Sequence, residues 1–137
     1  MRKFVVSSVV ALLFVSALFA AKPMSEWKNV AGLDLPTYGW IIRNADGQIV
    51  GAQGVNLGLG YSAKYYFSPL KKGEFNVYWG WGTNLLIVPY AVVGGDYLVS
   101  DNIYVGGYAG LSLATLLSIL YKSIPFPVAS VSVGVFF

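Results

Sequence analysis

The sequence contains no cysteine and no histidine. Without cysteine there is no disulfide framework to hold the chain together. Without histidine the chain lacks the commonest general base and a frequent metal ligand. The acidic residues do not cluster along the sequence, and no glycine-rich phosphate-binding motif opens a helix. These absences argue against an enzyme, so we expect no catalytic residue, no cofactor and no metal site.

Charge is also scarce in the carboxy-terminal half of the chain. Between Phe75 and Phe137 the only charged residues are Asp96, Asp101 and Lys122, which is too few for the surface of an ordinary soluble domain. The whole chain has nine basic and six acidic side chains, and two of the basic ones fall within the first three residues. The remainder is close to neutral, so its composition gives no reason to expect nucleic-acid binding.

The amino terminus has the pattern of a secretory signal peptide. Arg2 and Lys3 precede an uncharged apolar run, and Ala20 and Ala21 supply small residues near a plausible cleavage point. We therefore assign residues 1–21 to a signal peptide and residues 22–137 to a single mature domain. A retained signal anchor is the alternative.

The mature chain is dominated by alternation of apolar and small or polar residues, which is typical of β-strands. The clearest segment, residues 55–68, places seven apolar side chains at consecutive odd positions. The same alternation predicts strands at 75–81, 90–99, 103–113 and 129–137. No charge interrupts either face of the last of these, so we expect the odd-numbered face to contact lipid and the even-numbered face to line a lumen.

Two charged residues lie within these better-defined strands, and both fall on the even-numbered face. A charge on the lipid face of a barrel is costly, so the positions of Lys64 and Asp96 support the assigned phase. An ion pair between them would fit a narrow lumen. Several large residues would fill the same space: Tyr66, Tyr78, Tyr104 and Tyr108.

The amino-terminal part of the domain is less regular. Residues 38–43 and 48–53 flank Asn44-Ala45-Asp46-Gly47, which is a good hairpin turn sequence. With a weak strand at 27–33 the count is eight, whereas merging residues 48–68 into one strand gives six or seven. We favour eight, because single-chain bacterial barrels have even strand numbers from eight upward.

The signal peptide, the strands rich in glycine and tyrosine, and the terminal Phe137 together resemble the small outer-membrane β-barrel proteins of bacteria with two membranes. The resemblance implies an all-β, transmembrane, up-and-down antiparallel barrel located in the outer membrane. It also implies that the last strand acts as a signal to the barrel-assembly machinery, through Val131, Val133, Val135 and Phe137. The lipid bilayer and that machinery are the expected partners, with a second copy of the chain as a further one.

The ends of the strands give the barrel a direction. The short turns at 69–74 and 100–102 would face the periplasm together with the carboxy terminus, and the longer connections at 82–89 and 114–127 would face outward. The outward aromatic residues would form girdles at two levels, with Trp79 and Trp81 opposite Tyr65, Phe67, Phe75, Tyr97 and Phe137. Both outer connections are unusually apolar, as in Leu85-Leu86-Ile87-Val88. They either extend the strands or contact lipid, an apolar ligand or another copy.

Three other interpretations remain open at this point. Residues 103–120 are uncharged and contain Gly106 and Gly110 at helix-packing spacing, as in a helical inner-membrane protein. A soluble barrel is disfavoured by the shortage of charge. Within the outer-membrane interpretation we expect a non-catalytic structural, surface-interaction or apolar-ligand-binding role, and the alternative is a small channel or pore.

Overall fold

The computed structural model describes residues 3, 5–11, 22–33, 35–113, 117 and 128–137. Eight antiparallel strands close into an up-and-down barrel, in which each strand pairs with its sequence neighbours and the first pairs with the last. The predicted all-β fold class and strand number are therefore confirmed. The strands are β1 (Asn29–Gly32), β2 (Tyr38–Arg43), β3 (Ile49–Asn56), β4 (Gly60–Tyr66), β5 (Phe75–Asn84), β6 (Val88–Leu98), β7 (Ile103–Ser112) and β8 (Val128–Phe136).

Most of the predicted signal peptide and all of the predicted connection at 114–127 except residue 117 lie outside the described residues. Where the first 21 residues are described, at 3 and 5–11, the backbone is helical. A short 3₁₀ turn, Met24–Glu26, precedes β1. Within the described part of the chain, no helix has the length and apolar character that a membrane-spanning helix needs.

The alternation of side chains follows the predicted phase. Along β5 the odd positions from Phe75 to Trp81 are exposed and the even positions from Asn76 to Gly82 are buried. Even-numbered residues therefore face the interior in β5, β6 and β7. The parity is reversed in β2, where the even-numbered Tyr38 and Trp40 are exposed and Gly39 between them is buried. Val135 is an exception, since it lies on the odd face between Ala31 and Ile103 in the register and is nevertheless buried.

The prediction of one continuous strand over residues 55–68 is wrong. Residues 57–59 form a turn, so Val55 and Asn56 end β3 and Gly60 begins β4. The side-chain carbonyl of Asn56 accepts a hydrogen bond from the Gly60 amide at 3.0 Å, which closes the turn. The alternation continued through this turn because its exposed leucines share the odd phase of the flanking strands.

Two further expectations need correction. The connection predicted at 82–89 is only a three-residue turn at 85–87, because β5 and β6 extend to Asn84 and Val88. The helical alternative for residues 103–120 is wrong over residues 103–112, which form β7 and pair with both β6 and β8, whereas residues 113 and 117 are helical.

The core of the molecule is the barrel lumen itself. Large aromatic side chains fill it, and Tyr78 and Tyr104 have no exposed surface. Toward the end where the chain terminates, Trp27 stacks on Phe136 with ring centroids 5.3 Å apart and nearly parallel planes. The described lumen is thus packed with side chains, as an eight-stranded barrel allows.

Close packing in the lumen depends on glycine at Gly134. A methyl group at this position would overlap the ring and the hydroxyl group of Tyr104, and both residues are buried. We expect Gly134→Ala to lower the free energy of unfolding by about 1–3 kcal/mol, the usual range for overpacking a core. Gly107→Ala is the matched control, because Gly107 faces outward and its nearest neighbour for an added methyl is the Ser130 carbonyl oxygen at 3.2 Å. Urea titrations should show a loss for the first variant and little change for the second; equal losses would contradict this account of lumen packing.

Candidate functional site

The lumen contains one buried ion pair, formed by the two charged residues that the sequence placed inside. The Lys64 ammonium group of β4 lies 2.5 Å from Oδ2 of Asp96 on β6, and both side chains are almost completely shielded from solvent. The hydroxyl of Tyr66 donates a second hydrogen bond to the same oxygen at 2.7 Å. Oδ1 of Asp96 has no hydrogen-bond partner among the described residues.

Aromatic rings surround the ammonium group of this pair. The Lys64 nitrogen lies 4.5 Å from the ring centroid of Tyr104, 5.0 Å from that of Tyr78 and 5.6 Å from that of Tyr66. Each distance is within the range of a cation–π interaction. The two charges neutralise each other, the rings stabilise the cation, and these side chains fill this part of the lumen.

A second closure lies at the end of the barrel that holds the carboxy terminus. The guanidinium group of Arg43 donates hydrogen bonds of 2.8 Å to the carbonyl oxygens of Met24 and Trp27. These bonds hold the segment before β1 across the mouth, where Trp27 covers Phe136. The ammonium group of Lys72 lies 5.7 Å from the Trp27 ring on the outer side.

Charge is distributed very unevenly along the barrel axis. Apart from Lys3 and the lumen pair, every charged residue that the structure describes lies at the end with the carboxy terminus, which we call the charged end. These residues occupy the segment before β1, the end of β2 and the turns after β2, β4 and β6: Lys22, Glu26, Lys28, Arg43, Asp46, Lys71, Lys72, Glu74 and Asp101.

The opposite end carries a cluster of exposed apolar side chains, which we call the crown. It consists of Leu57 and Leu59 from the β3–β4 turn and Leu85, Leu86 and Ile87 from the β5–β6 turn. Each of these side chains is between 62% and 77% exposed. The two turns are joined directly, because the amide of Leu85 donates a hydrogen bond of 2.8 Å to the Gly58 carbonyl.

Three crown leucines have a left-handed backbone, with φ of +55° at Leu59, +52° at Leu85 and +64° at Leu86. Glycine or asparagine is the usual residue at such positions in a hairpin turn. A non-glycine residue held in this region costs about 1–3 kcal/mol. Because glycine or asparagine would suit the backbone better, the turns retain large apolar side chains at an energetic cost.

Polar groups lie beneath the crown and satisfy the backbone of both turns. The Asn56 side-chain amide donates to the carbonyl oxygen of Thr83 and the hydroxyl of Tyr90, each at 3.1 Å. The Thr83 hydroxyl in turn accepts a hydrogen bond from the Tyr61 amide at 3.3 Å. The crown is therefore apolar on its outer surface and internally hydrogen-bonded below it.

The remaining residues singled out from the sequence lie on the outer wall. The exposed aromatic side chains include Phe67, Phe75, Trp79, Trp81 and Tyr97. Trp79 is the direct register partner of Tyr65, with ring centroids 5.0 Å apart, so the expectation that these two belong to opposite levels is wrong. The segregation was inferred from distance to the chain turns, which ignores the stagger between neighbouring strands.

The predicted assembly residues lie in the last strand and directly after it. Val131 is 83% exposed, whereas Val133 and Phe137 are partly buried and Val135 is buried. The three valines belong to β8, and Phe137 directly follows the last residue of that strand.

Sequence reasoning missed three parts of this arrangement: the aromatic closure at Trp27, the Arg43 bonds that hold it, and the contribution of Leu57 and Leu59 to the crown. The apolar composition of residues 85–88 did indicate an unusual tip. A run of Asn56-Leu57-Gly58-Leu59-Gly60 contains turn-forming residues, but its alternation also fits a strand.

Among the described residues, no three His, Cys, Asp or Glu side chains lie close enough to hold a metal ion. Comparison of the chain with protein-family models, curated proteins and solved structures finds no match in any of the three.

Proposed function

We propose that the protein is an outer-membrane β-barrel with a non-catalytic role, in which the crown is the surface that meets an apolar partner. The observation that carries the proposal is the separation of charge from the wall of the barrel. Outward side chains such as Val93, Val105 and Val131 are exposed and apolar, while the charges of Lys64 and Asp96 are paired in the lumen. A barrel in a bilayer needs this arrangement, and a barrel in water would expose large apolar patches.

The location follows from the same argument. A closed barrel has no unpaired edge and is one of two architectures that can span a membrane. The signal-peptide pattern of residues 1–21 supports export, and the apolar last strand supports recognition by the barrel-assembly machinery. We place the charged end in the periplasm, as the carboxy terminus and the short turns predict.

The shielded lumen favours a structural or binding role over the alternative role as a channel. Tyr78, Tyr104, Lys64 and Asp96 have at most 1% of their surface exposed, so the described part of the lumen is filled by side chains at their level. We expect purified protein in planar bilayers to give no discrete conductance steps. Reproducible conductance steps from single molecules would favour the channel. Tyr104→Ala, which removes one of the rings that fill the lumen, serves as a control variant.

A further inference from the structure

Two buried oxygen atoms of the lumen have no hydrogen-bond partner in the part of the chain that the structure describes. They are Oδ1 of Asp96 on β6 and Oγ of Ser132 on β8. The strand register places them on either side of one glycine, because Asp96 pairs with Gly106 of β7 and Gly106 pairs with Ser132. The two buried side chains therefore flank a strand position that carries no side chain.

The carboxylate of Asp96 lies against Gly106. A Cβ atom added to this glycine would come within 2.6 Å of Oδ1, so the oxygen occupies part of the space that a side chain would fill. Residues opposite each other on neighbouring antiparallel strands have Cα atoms about 4.5–5.5 Å apart. Asp96 and Ser132 are separated by two such steps, and the bare backbone of Gly106 leaves room between their oxygens.

We infer that one water molecule binds in the lumen between Oδ1 of Asp96 and Oγ of Ser132, over Gly106. The water donates a hydrogen bond to the carboxylate oxygen and accepts one from the serine hydroxyl. A buried carboxylate oxygen without a partner is more costly than the ordering of one water molecule. The inference goes beyond the proposed function and concerns the interior alone, so it holds whether or not the outer wall faces lipid.

The charges around the site favour a neutral ligand over a cation. Oδ2 of the same carboxylate already contacts the Lys64 ammonium group and accepts a hydrogen bond from Tyr66. Lys64 neutralises the carboxylate, and a cation at Oδ1 would be repelled by the ammonium group in an interior that screens charge poorly. Asp96 is the only acidic residue in the eight strands, so no second carboxylate is present in them to hold a cation.

The water would complete the hydrogen bonding of the lumen plug. Lys64 and Tyr66 bind the carboxylate from β4, whereas Ser132 would bind it through the water from β8. That strand pairs with β1 where the barrel closes. A buried polar network is stabilising when all of its members are satisfied, and the water supplies the bond that Oδ1 and Ser132 otherwise lack.

Crystal structures at a resolution that reveals ordered water test the inference. They are compared for the native protein, for Ser132→Ala and for the control Ser62→Ala. Ser62 suits this purpose because its buried hydroxyl also has no partner among the described residues, while its register neighbours are Gly54 and Gly82. Native crystals grown in rubidium chloride provide a separate test for a monovalent cation, through the anomalous signal of the ion.

We expect density for one water at about 2.5–3.0 Å from both Oδ1 and Oγ in the native protein and in Ser62→Ala. In Ser132→Ala this density should be lost or displaced from the site. A rubidium peak there would show a cation site and overturn the inference. A direct hydrogen bond from the Ser132 hydroxyl to Oδ1, or no density between the two oxygens, would also overturn it. Water that keeps its position in Ser132→Ala would show that the serine does not hold it, with the same consequence.

Discussion

Replacing Asp96 with leucine is expected to destabilise the barrel by about 3–5 kcal/mol, the cost of leaving a buried charge without its partner. In the native protein the carboxylate neutralises Lys64 and accepts a hydrogen bond from Tyr66. The ammonium group would be left among tyrosine rings, whose interaction with a cation is worth much less than its lost hydration. Urea titration of protein in vesicles, followed by tryptophan fluorescence, measures the loss.

The double variant Lys64→Met/Asp96→Leu separates a broken pair from a missing one. Replacing both members of a buried pair by apolar residues of similar size is often neutral or stabilising, so the double variant should recover most of the stability lost by Asp96→Leu. The exposed pair between Lys72 and Asp101, at 3.5 Å, provides a control: Asp101→Leu should change stability little, because water screens such pairs. A double variant as unstable as the single one would contradict the assignment of the pair as a neutral plug.

The second large effect concerns the outer wall. Val93 is 57% exposed and lies between Trp79 and Ala109 in the register, about midway along β6. A lysine here would lie near the middle of the bilayer and should cost about 2–4 kcal/mol of unfolding free energy. Val93→Leu is the matched control and should change stability little.

The lysine variant also distinguishes a membrane barrel from a soluble one. In a soluble barrel an exposed lysine would be hydrated, so Val93→Lys would leave stability nearly unchanged and improve solubility. An unfolding free energy within experimental error of the native value, measured in vesicles, would therefore count against a lipid-facing wall.

The sequence was sufficient to predict the barrel because alternation is a strictly local property. The residues of β5 from Phe75 to Gly82 alternate without exception, and the even positions of Lys64 and Asp96 correctly predicted that both side chains are buried. The contact between Lys64 and Asp96 could not be predicted from alternation, because it depends on how β4 and β6 are aligned with the strand between them, β5. Only the three-dimensional pairing shows that two residues 32 positions apart reach each other.

The turn at residues 57–59 shows where alternation is uninformative. Leu57 and Leu59 are exposed at a tip, and Val55 and Tyr61 face outward on strands that pair with each other. All four therefore occupy odd-numbered positions, and the sequence pattern predicts a single strand. The interactions that define the turn are made by the Asn56 side chain and by Thr83 from another hairpin, and no local pattern reports a contact of that kind.

The most direct test of the membrane-spanning barrel measures collisions of nitroxide labels at Val105 and Val131 in reconstituted vesicles. Molecular oxygen, which concentrates in hydrocarbon, should collide with both labels far more often than a water-soluble nickel chelate does, and a label at Asp101 should show the reverse preference. If the labels at Val105 and Val131 met the nickel chelate as frequently as the label at Asp101, the outer wall would face water and the barrel would not be a membrane protein.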